Sequence, residues 1–254
     1  MDQNIVELKD VHFTYPDGIA ALAGVNLSVA YGQTFGLIGP NGAGKSTLLL
    51  HLNGILKQQG SVVISGLEVE DRNLPEIRSK VGLVFQDPDA QLFMPTVFDD
   101  VAFGPLNMQL PKGAVQDAVI SALELVDMLA AMKRSSHHLS FGEKKRISIA
   151  TVLSMNPKIL VLDEPTSNLD PKHRRGLIEL LKSLPITKII ATHDLELVVE
   201  ICERVAILDQ GIIVSQGDTL SILAQKPLLE SHGLEVPHSL RKDAHWHISP
   251  LCEL

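Results

Sequence analysis

A glycine-rich run near the start of the chain has the composition of a phosphate-binding loop. Its nine residues are Gly39, Pro40, Asn41, Gly42, Ala43, Gly44, Lys45, Ser46 and Thr47. The glycines permit a tight turn that directs several N–H groups at phosphate oxygens, Lys45 adds a positive charge, and the Ser46 hydroxyl can bind Mg²⁺. The run therefore predicts a site for a nucleoside triphosphate with Mg²⁺. A glycine turn without nucleotide is the alternative, which the preceding apolar run and the following helix disfavour.

Two adjacent carboxylates occur later in the chain. Asp163 and Glu164 follow four apolar residues, so Asp163 is expected at the carboxyl end of a buried strand, where open α/β sheets bind ligands. There Asp163 can hold Mg²⁺ through water and Glu164 can polarise an attacking water, because phosphoryl transfer depends on positioning and charge stabilisation. Two acids that merely close a strand are the alternative. Together with the glycine-rich loop, this pair predicts hydrolysis of the triphosphate.

A third segment, L-S-F-G-E at residues 139–143, precedes a helical pattern. Ser140 and Glu143 have the spacing of a capping box, in which the serine caps the helix and the glutamate returns a hydrogen bond. A capped helix with Gly142 in its first turn also presents N–H groups and a hydroxyl to an anion. The segment therefore predicts a helix start and is compatible with a phosphate contact as well.

Strands and helices must position these three segments. Apolar alternation and short buried runs predict strands over 5–15, 22–29, 34–38, 61–64, 81–85, 159–162, 188–191 and 205–208. Helices are predicted over 47–52, 114–125 and 171–184, the last with Asp170 as its cap and Pro171 at its first position. Strands that alternate with helices predict a mostly parallel, layered α/β core.

The pattern becomes helical between about residues 87 and 155, which predicts a helical subdomain inserted in the α/β core. We expect one main domain over residues 1–225 and a C-terminal extension over 226–254 that is irregular and of doubtful order. Four of the ten histidines lie in this extension: His232, His238, His245 and His247. Their spacing matches no known ligand pattern, so a solvated tail is favoured over a metal site.

Composition restricts the classes of partner. The chain has 254 residues, and its net charge of −8 without a basic stripe argues against nucleic acid. Cys202 and Cys252 are too few for a disulfide framework, which favours a reducing compartment. The first residues lack signal-peptide features, and no apolar run approaches the ~18 residues that cross a bilayer. A membrane role would therefore require a partner.

With these motifs, the chain resembles an ATP-binding-cassette (ABC) ATPase subunit over about residues 3–225. The resemblance implies a P-loop NTPase of ABC type, with an N-terminal antiparallel β-subdomain, a mostly parallel sheet core and an inserted helical subdomain. It also implies that Ser140 and Gly142 contact the γ-phosphate of ATP held by a second copy. Phe141 and Glu143 depart from the usual Leu-Ser-Gly-Gly-Gln signature.

The resemblance assigns roles to further positions. It implies that Tyr15 stacks on adenine, that Gln86 links Mg²⁺ to a membrane partner, and that His193 contacts the γ-phosphate. Residues 167–170 correspond to the loop that crosses the dimer. The alternatives are an ordinary strand aromatic for Tyr15, a polar strand end for Gln86 and a structural histidine for His193.

The segments Q-D-P-D-A-Q-L-F at residues 86–93 and T-V-F-D-D-V-A-F-G-P at residues 96–105 resemble the ATPases of energy-coupling factor importers of the cobalt and nickel type. That resemblance implies two ATPase copies, a transmembrane coupling protein and a small substrate-binding membrane protein. A heterodimer with a related ATPase is the alternative to a homodimer, which the complete motif set of this chain favours. The ATPase would lie peripherally on the cytoplasmic face of the cell membrane. Four apolar residues close to Asp99 and Asp100 would suit a partner helix with apolar anchors and an arginine: Leu92, Phe93, Met94 and Val97. Core packing is the alternative for each of them.

Several functions remain open beside cobalt or nickel import. The cargo could be biotin or another vitamin, because no residue of this chain is expected to touch it. An exporter ATPase, a soluble ABC ATPase of repair or translation and a non-catalytic nucleotide-binding regulator are weaker alternatives. The soluble class predicts long inserts or basic surfaces that this sequence lacks, and a regulator does not require Glu164 and His193.

Overall fold

The computed structural model describes residues 4–57 and 59–241. An antiparallel sheet occupies the N-terminal part of the chain, with four strands in the order β2-β1-β4-β5. Their bounds are Asn4–Thr14 (β1), Ala20–Ala30 (β2), Gln59–Ile64 (β4) and Leu67–Glu68 (β5). Alternate residues of β1 and β2 are buried, including Val6, Leu8, Val25 and Leu27, because side chains of a strand point to opposite faces. The predicted strands over 5–15 and 22–29 are confirmed, and they pair antiparallel.

A second sheet of six strands forms the centre of the molecule. Its strands are Thr34–Ile38 (β3), Val81–Val84 (β6), Ile159–Asp163 (β7), Thr187–Ala191 (β8), Arg204–Asp209 (β9) and Ile212–Asp218 (β10). The order is β10-β9-β3-β8-β7-β6, with β10 antiparallel to β9 and every other pair parallel. Because β3, β8 and β7 are neighbours, their carboxyl ends meet at one edge of the sheet, as the sequence predicts for a mostly parallel core.

Strand β7 separates two hydrophobic cores. Ile159 and Val161 belong to the core shared with the antiparallel sheet, whereas Leu160 and Leu162 belong to the core shared with the helices. All four side chains are fully buried. A parallel strand covered on both faces is apolar at every position, which is why the sequence shows a continuous apolar run before Asp163.

The helices fall into three groups by position. Their bounds are Lys45–Leu52 (α1), Leu74–Lys80 (α2), Val97–Asn107 (α3), Lys112–Leu125 (α4), Phe141–Leu153 (α5), Pro171–Ser183 (α6), Leu195–Ile201 (α7), Thr219–Leu223 (α8) and Lys226–Ser231 (α9). Helices α6 to α9 cover the second face of the central sheet, α3 to α5 form the insertion, and α1 and α2 pack in the core shared with the antiparallel sheet. Helices α3, α4 and α5 pack on one another through buried residues such as Val101, Val119 and Ile147. They lie within the predicted helical stretch. Asp170 caps α6 by accepting from the N–H of His173 at 3.0 Å.

Part of the predicted irregular extension is regular and packed. Helix α9 begins at Lys226, and Leu229 and Leu234 are buried in the helix-side core, which gives this segment an apolar anchor. His232 Nδ1 lies 2.8 Å from Asp209 Oδ2, so this histidine has a protein partner and is not simply solvated. His245 and His247 lie outside the described residues.

The fold offers neither a membrane span nor a metal-binding cluster among the described residues. No helix within 4–57 and 59–241 is both long enough and apolar enough to cross a bilayer. Over the same ranges, His, Cys, Asp and Glu side chains do not gather in groups of three or more that could hold a metal ion.

Candidate functional site

The glycine-rich loop connects β3 to α1 and passes close to neighbouring backbone. A Cβ on Gly39 would lie 2.0 Å from the carbonyl oxygen of Leu208, and one on Gly44 would lie 2.4 Å from that of Ala21. Gly44 also has φ of +104°, in the left-handed region that residues with a side chain rarely adopt. Both positions therefore require glycine, and the loop is held as a fixed turn at the start of α1.

Lys45 directs its ammonium group into this turn. Its Nζ donates to the carbonyl oxygens of Gly39 at 2.7 Å and Pro40 at 3.0 Å. Burial lowers the pKa of Lys45, and the carboxylates of Glu164 and Asp163 oppose that shift because they stabilise the charged form. A positive charge is thus held beside the loop by protein acceptors alone.

Asp163 ends β7 with one unpaired oxygen. Its Oδ1 is buried and has no hydrogen-bond partner within the described part of the chain. Burial raises the pKa of the Asp163 carboxyl, and a hydrogen bond with the Ser46 side chain opposes the shift. A buried polar atom without a partner is costly. The Asp163 carboxylate and the Ser46 hydroxyl are oxygen donors of the kind that hard divalent cations prefer.

Glu164 is fixed by the end of the neighbouring strand. Its side chain is buried and accepts from Thr192 Oγ1 at 3.0 Å and from the backbone N–H of His193 at 3.1 Å. His193 Nδ1 lies 2.8 Å from Glu164 Oε2. The backbone of Glu164 has φ of +44°, a left-handed conformation that costs on the order of 1–3 kcal/mol for a non-glycine residue. Strands β7 and β8 therefore hold the carboxylate and the imidazole together.

A cleft of about 460 Å³ joins these groups, and we call it the P-loop cleft. The predicted site residues that line it are Tyr15, Asn41, Gly42, Ala43, Gly44, Lys45, Ser46, Thr47, Gln86, Asp163, Glu164 and His193. Tyr15 is fixed in the cleft by a 3.0 Å hydrogen bond between its hydroxyl and Thr47 Oγ1. Gly39 and Pro40 line an adjoining cavity that His193 also borders.

Ser140 and Gly142 are not among the described residues that line the P-loop cleft. They begin α5, where the predicted capping box is present: Glu143 Oε2 accepts from the Ser140 N–H at 2.7 Å, and Ser140 Oγ accepts from the Glu143 N–H at 3.3 Å. A Cβ on Gly142 would lie 2.7 Å from the ring of His173. Within one chain, the signature segment is thus separate from the glycine-rich loop.

Comparisons with known proteins agree with this geometry. The sequence model described as "ABC transporter" matches residues 22–167. An energy-coupling factor transporter ATP-binding protein, EcfA of Methanothermobacter thermautotrophicus, is 48% identical over 92% of this chain and 78% of its own length. The chain belongs to the ABC transporter ATPase family. As an ABC ATPase, it binds and hydrolyses ATP.

Two solved structures of ABC ATPases share the fold. The structure of cbiO1 from Clostridium perfringens, described as part of the ABC transporter complex cbiONQ, has a TM-score of 0.79 and 38% identity, and the match covers 91% of this chain and 94% of that one. The ATP-binding cassette MJ0796, solved as a dimer after hydrolysis with ADP and Pi, has a TM-score of 0.76 and 30% identity over 84% of this chain and 98% of its own.

This ABC ATPase also has a buried lysine that the sequence analysis missed. Lys145 of α5 is 1% exposed, and its Nζ donates to the carbonyl oxygens of Gln86 at 2.5 Å and Glu164 at 3.3 Å. Burial lowers its pKa to about 8, against the effect of nearby carboxylates. Lys145 lies within the charged run K-K-R at residues 144–146, and such a run is typical of a solvent-exposed helix face. Its spacing from Gly142 and Ile149, however, would have placed it on the buried face of the helix.

A second set of contacts that the sequence analysis did not predict is made by Asp194. It connects the turn after Glu164 to the segment that follows strand β8. The Asp194 carboxylate accepts from Thr166 Oγ1 at 3.0 Å and from both Nε and Nη2 of Arg174 at 2.9 and 3.0 Å. A bidentate arginine contact is geometrically specific. This set of contacts joins Thr166 and Arg174, which flank the segment 167–170 that the family resemblance assigns to the dimer-crossing loop, to the residue that follows His193.

Proposed function

We propose that this chain is the ATP-hydrolysing subunit of an energy-coupling factor importer, that it works as a homodimer, and that its cargo is cobalt or nickel. The observation that carries the importer proposal is an apolar groove next to the Gln86 loop. The groove contains a buried aspartate oxygen that has no hydrogen-bond partner among the described residues. The residues of the P-loop cleft carry the proposed chemistry.

Ser46, Asp163 and Gln86 would hold Mg²⁺ in the P-loop cleft. Their hydroxyl, carboxylate and amide oxygens suit this ion, and the unpaired Oδ1 of Asp163 supports the fit. When bound, Mg²⁺ neutralises charge on the phosphate oxygens. Lys45 and the N–H groups of the glycine-rich loop contact the same phosphates. Tyr15, held by Thr47, offers its ring to the adenine.

Glu164 would orient the attacking water. Its carboxylate is held in place by Thr192 and His193, so it needs little rearrangement to accept a hydrogen bond from water. His193 is largely exposed on its side chain and would contact the γ-phosphate. Positioning of this kind is the main contribution of protein groups to phosphoryl transfer.

A second copy of the chain would complete each site. Ser140 and Gly142 begin a helix of 13 residues, and the N-terminus of such a helix favours an anion. They lie outside the P-loop cleft of their own chain, so they can reach a γ-phosphate only in another copy. The dimeric state of the related MJ0796 cassette supports this arrangement. Because one chain contains every motif, a homodimer would have two equivalent sites.

The groove that supports the importer proposal has a volume of about 750 Å³. Its lining includes Ile55, Leu83, Phe85, Phe93, Phe103 and Met108, and we call it the aromatic groove. Phe93 and Phe103 are 60% and 44% exposed, although their rings contact each other with centroids 5.3 Å apart. A contiguous exposed apolar surface of this kind marks a site for a partner.

The Asp100 carboxylate would favour a partner that brings a positive charge to the aromatic groove. The residue is 3% exposed, its Oδ1 accepts from the N–H groups of Phe93 and Met94 at 3.0 and 2.9 Å, and its Oδ2 is buried without a partner in the described chain. Burial raises the pKa of the Asp100 carboxyl. An arginine from a partner helix would satisfy this oxygen with a charge-assisted hydrogen bond, once side chains of the groove move to expose it. We therefore propose a helix of the transmembrane coupling protein as the occupant.

Of the four apolar residues in this region, the structure assigns two to the core. Leu92 and Val97 are buried at 3% and 0% exposure, so core packing is the correct interpretation for them. Phe93 is exposed in the groove and Met94 is half-buried. The apolar anchors of a partner would thus meet Phe93 and Phe103, not all four residues that the sequence suggests.

Gln91 offers a route from the groove to the P-loop cleft. Its Oε1 accepts from the N–H of Phe85 at 3.2 Å, and its Nε2 donates to Ser148 O at 2.8 Å and Thr151 Oγ1 at 2.7 Å. Phe85 directly precedes Gln86. A partner helix that moves in the groove would therefore displace the loop that contains a proposed Mg²⁺ ligand.

A pull-down from detergent-solubilised native membranes tests the proposal. We expect a transmembrane coupling protein and a small substrate-binding membrane protein to be recovered and identified by mass spectrometry. Recovery of soluble partners alone would overturn the importer proposal and the proposed position at the cytoplasmic face of the cell membrane. The ATPase chemistry would be unaffected.

Uptake of labelled Co²⁺ and Ni²⁺ then tests the cargo. Cells with the wild-type chain should accumulate one of these ions, and cells with the Glu164→Gln variant should not. The preference for a metal rests on the resemblance of the 86–105 segment. Uptake of biotin or another vitamin that depends on Glu164, without metal uptake, would replace the metal with the second candidate cargo.

A further inference from the structure

Lys145 connects three segments that the proposed mechanism uses. It lies on α5, five residues after Ser140, and its ammonium donates to the backbone of Gln86 and of Glu164. We propose that Lys145 is a positioning residue for ATP hydrolysis, which fixes the main chain at Gln86 and Glu164 relative to the signature helix α5. The inference rests on the proposed roles of Gln86 and Glu164.

The surroundings of Lys145 explain how a buried ammonium group is tolerated. Carbonyl oxygens accept two of its hydrogen bonds, and the carboxylates of Asp163, Asp87 and Glu164 stabilise its charge. The ring of Phe141, one turn earlier in α5, has its centroid 5.9 Å from Nζ, within the range of a cation–π contact. Phe141 thus has a partner at the position where it departs from the usual signature glycine.

The two carbonyl groups that accept from Lys145 connect α5 to two residues of the P-loop cleft. The Gln86 carbonyl belongs to a residue that lines the P-loop cleft, and the Glu164 carbonyl belongs to the residue whose carboxylate accepts from Thr192 and His193. A displacement of α5 would be transmitted to both residues through one side chain. Loss of the ammonium would remove the link of both main-chain segments to α5, leaving the Glu164 carbonyl with Ser167 Oγ as a remaining donor at 2.9 Å. The glycine-rich loop, which Lys45 holds separately, would stay in place.

Lys188 provides a matched control because it has the same chemistry in another part of the fold. It is 5% exposed, and its Nζ donates to the carbonyl oxygens of Leu184 and Ile186 at 2.7 and 3.0 Å. Both acceptors lie in the connection that leads into its own strand β8. Replacement of either lysine by methionine removes a buried ammonium of similar length, but only Lys145 contacts residues of the P-loop cleft.

The test compares Lys145→Met, Lys145→Gln and Lys188→Met in the full chain without membrane partners. Steady-state ATP hydrolysis and the affinity for a fluorescent ATP analogue are measured at one pH. We expect Lys145→Met to lower kcat at least tenfold with analogue affinity within about twofold of wild type. Lys145→Gln, which keeps a hydrogen-bond donor, should lose less, and Lys188→Met should keep kcat within about twofold even where its thermal stability falls.

Amide hydrogen exchange gives a readout that does not depend on activity. Peptides that cover residues 84–92 and 163–170 should exchange faster in Lys145→Met than in wild type, and should be unchanged in Lys188→Met. The proposal is overturned if Lys145→Met keeps wild-type kcat, if Lys188→Met lowers kcat equally, or if exchange in the two peptides is unchanged. A Glu164→Gln variant that still hydrolyses ATP would instead contradict the proposed function of the site.

Discussion

The P-loop cleft contains Gln86, and the aromatic groove begins at Phe85 on the same loop. The cleft is largely preformed, because Lys45 and Glu164 already have protein partners. The groove instead exposes the rings of Phe93 and Phe103.

Each region also has one buried carboxylate oxygen without a hydrogen bond in the described chain, Oδ1 of Asp163 in the cleft and Oδ2 of Asp100 in the groove. Both regions therefore offer a buried carboxylate oxygen to a positively charged ligand. In the cleft the proposed ligand is Mg²⁺ bound with the nucleotide. In the groove the proposed ligand is a guanidinium group of a partner helix, which would also cover the exposed rings of Phe93 and Phe103.

The largest expected effect lies in the cleft. Glu164→Gln keeps the shape of the side chain but removes the charge that orients water, so we expect kcat to fall by about 10³-fold while ATP still binds. Steady-state hydrolysis and nucleotide retention on a filter measure the two effects. Glu179→Gln, on the outer face of α6, is the control. Undiminished turnover in Glu164→Gln would break the assignment of chemistry to the cleft.

The next effect separates the groove from the cleft. Asp100→Asn removes the charge that a partner arginine would require, and loss of one member of a buried ion pair costs about 3–5 kcal/mol. We therefore expect affinity for the coupling protein to fall at least 100-fold in a detergent binding assay. Asp117→Asn, on the exposed surface of α4, should bind normally. Wild-type binding by Asp100→Asn would show that the partner does not use this carboxylate.

A pair of aromatic truncations should give opposite results in the two regions. Tyr15→Ala should weaken ATP binding about tenfold through the loss of base stacking, which is worth about 1–3 kcal/mol in other proteins, and should leave partner binding intact. Phe103→Ala should weaken partner binding about tenfold and leave the affinity for ATP intact. Tyr31→Ala removes another exposed aromatic ring and serves as the control. If either variant loses affinity for both ATP and the partner, the proposed separation between the P-loop cleft and the aromatic groove is contradicted.

The smallest effect concerns the pH dependence of stability. Burial raises the pKa of both Asp100 and Asp163 above the ordinary 3.8, so the folded state binds more protons than the unfolded state above that pH. The free energy of unfolding contributed by each group should therefore fall as the pH rises from 3.8 through its raised pKa. Denaturant unfolding of wild type, Asp100→Asn and Asp163→Asn between pH 4 and 7 measures it. If the free energy of unfolding changes with pH equally in wild type and in one of the variants, the raised pKa of the residue replaced in that variant is contradicted.

Sequence reasoning predicted what local rules determine. The glycine-rich loop, the strand before Asp163 and the capping box at Ser140 each depend on neighbours within a few residues, and the central sheet follows from apolar runs between helices. Lys145 and Asp194 were missed because their partners are 19 or more residues away, at Glu164 and Arg174. Those contacts depend on how β7, α5 and α6 pack, which a single sequence does not encode locally.

The same limit applies to exposure in the groove. The run from Leu92 to Val97 is apolar at several positions, and its pattern alone does not separate core residues from anchors for a partner. The tertiary structure distinguishes the two kinds of residue, because Leu92 and Val97 are buried in the helical subdomain whereas Phe93 is exposed at the surface. Likewise, the anchor at Leu229 that orders α9 depends on the helix-side core, which the local composition of the extension does not reveal.

Strand β7 has a consequence for how this protein tolerates changes in length. Its residues alternate between two different cores and end at Asp163. Insertion or deletion of one residue within the strand would exchange the side chains of both cores and turn the carboxylate away from the cleft. Substitutions between Ile, Leu and Val should therefore be accepted along β7 far more readily than any single-residue indel, whereas surface loops of the helical subdomain are free to vary in length.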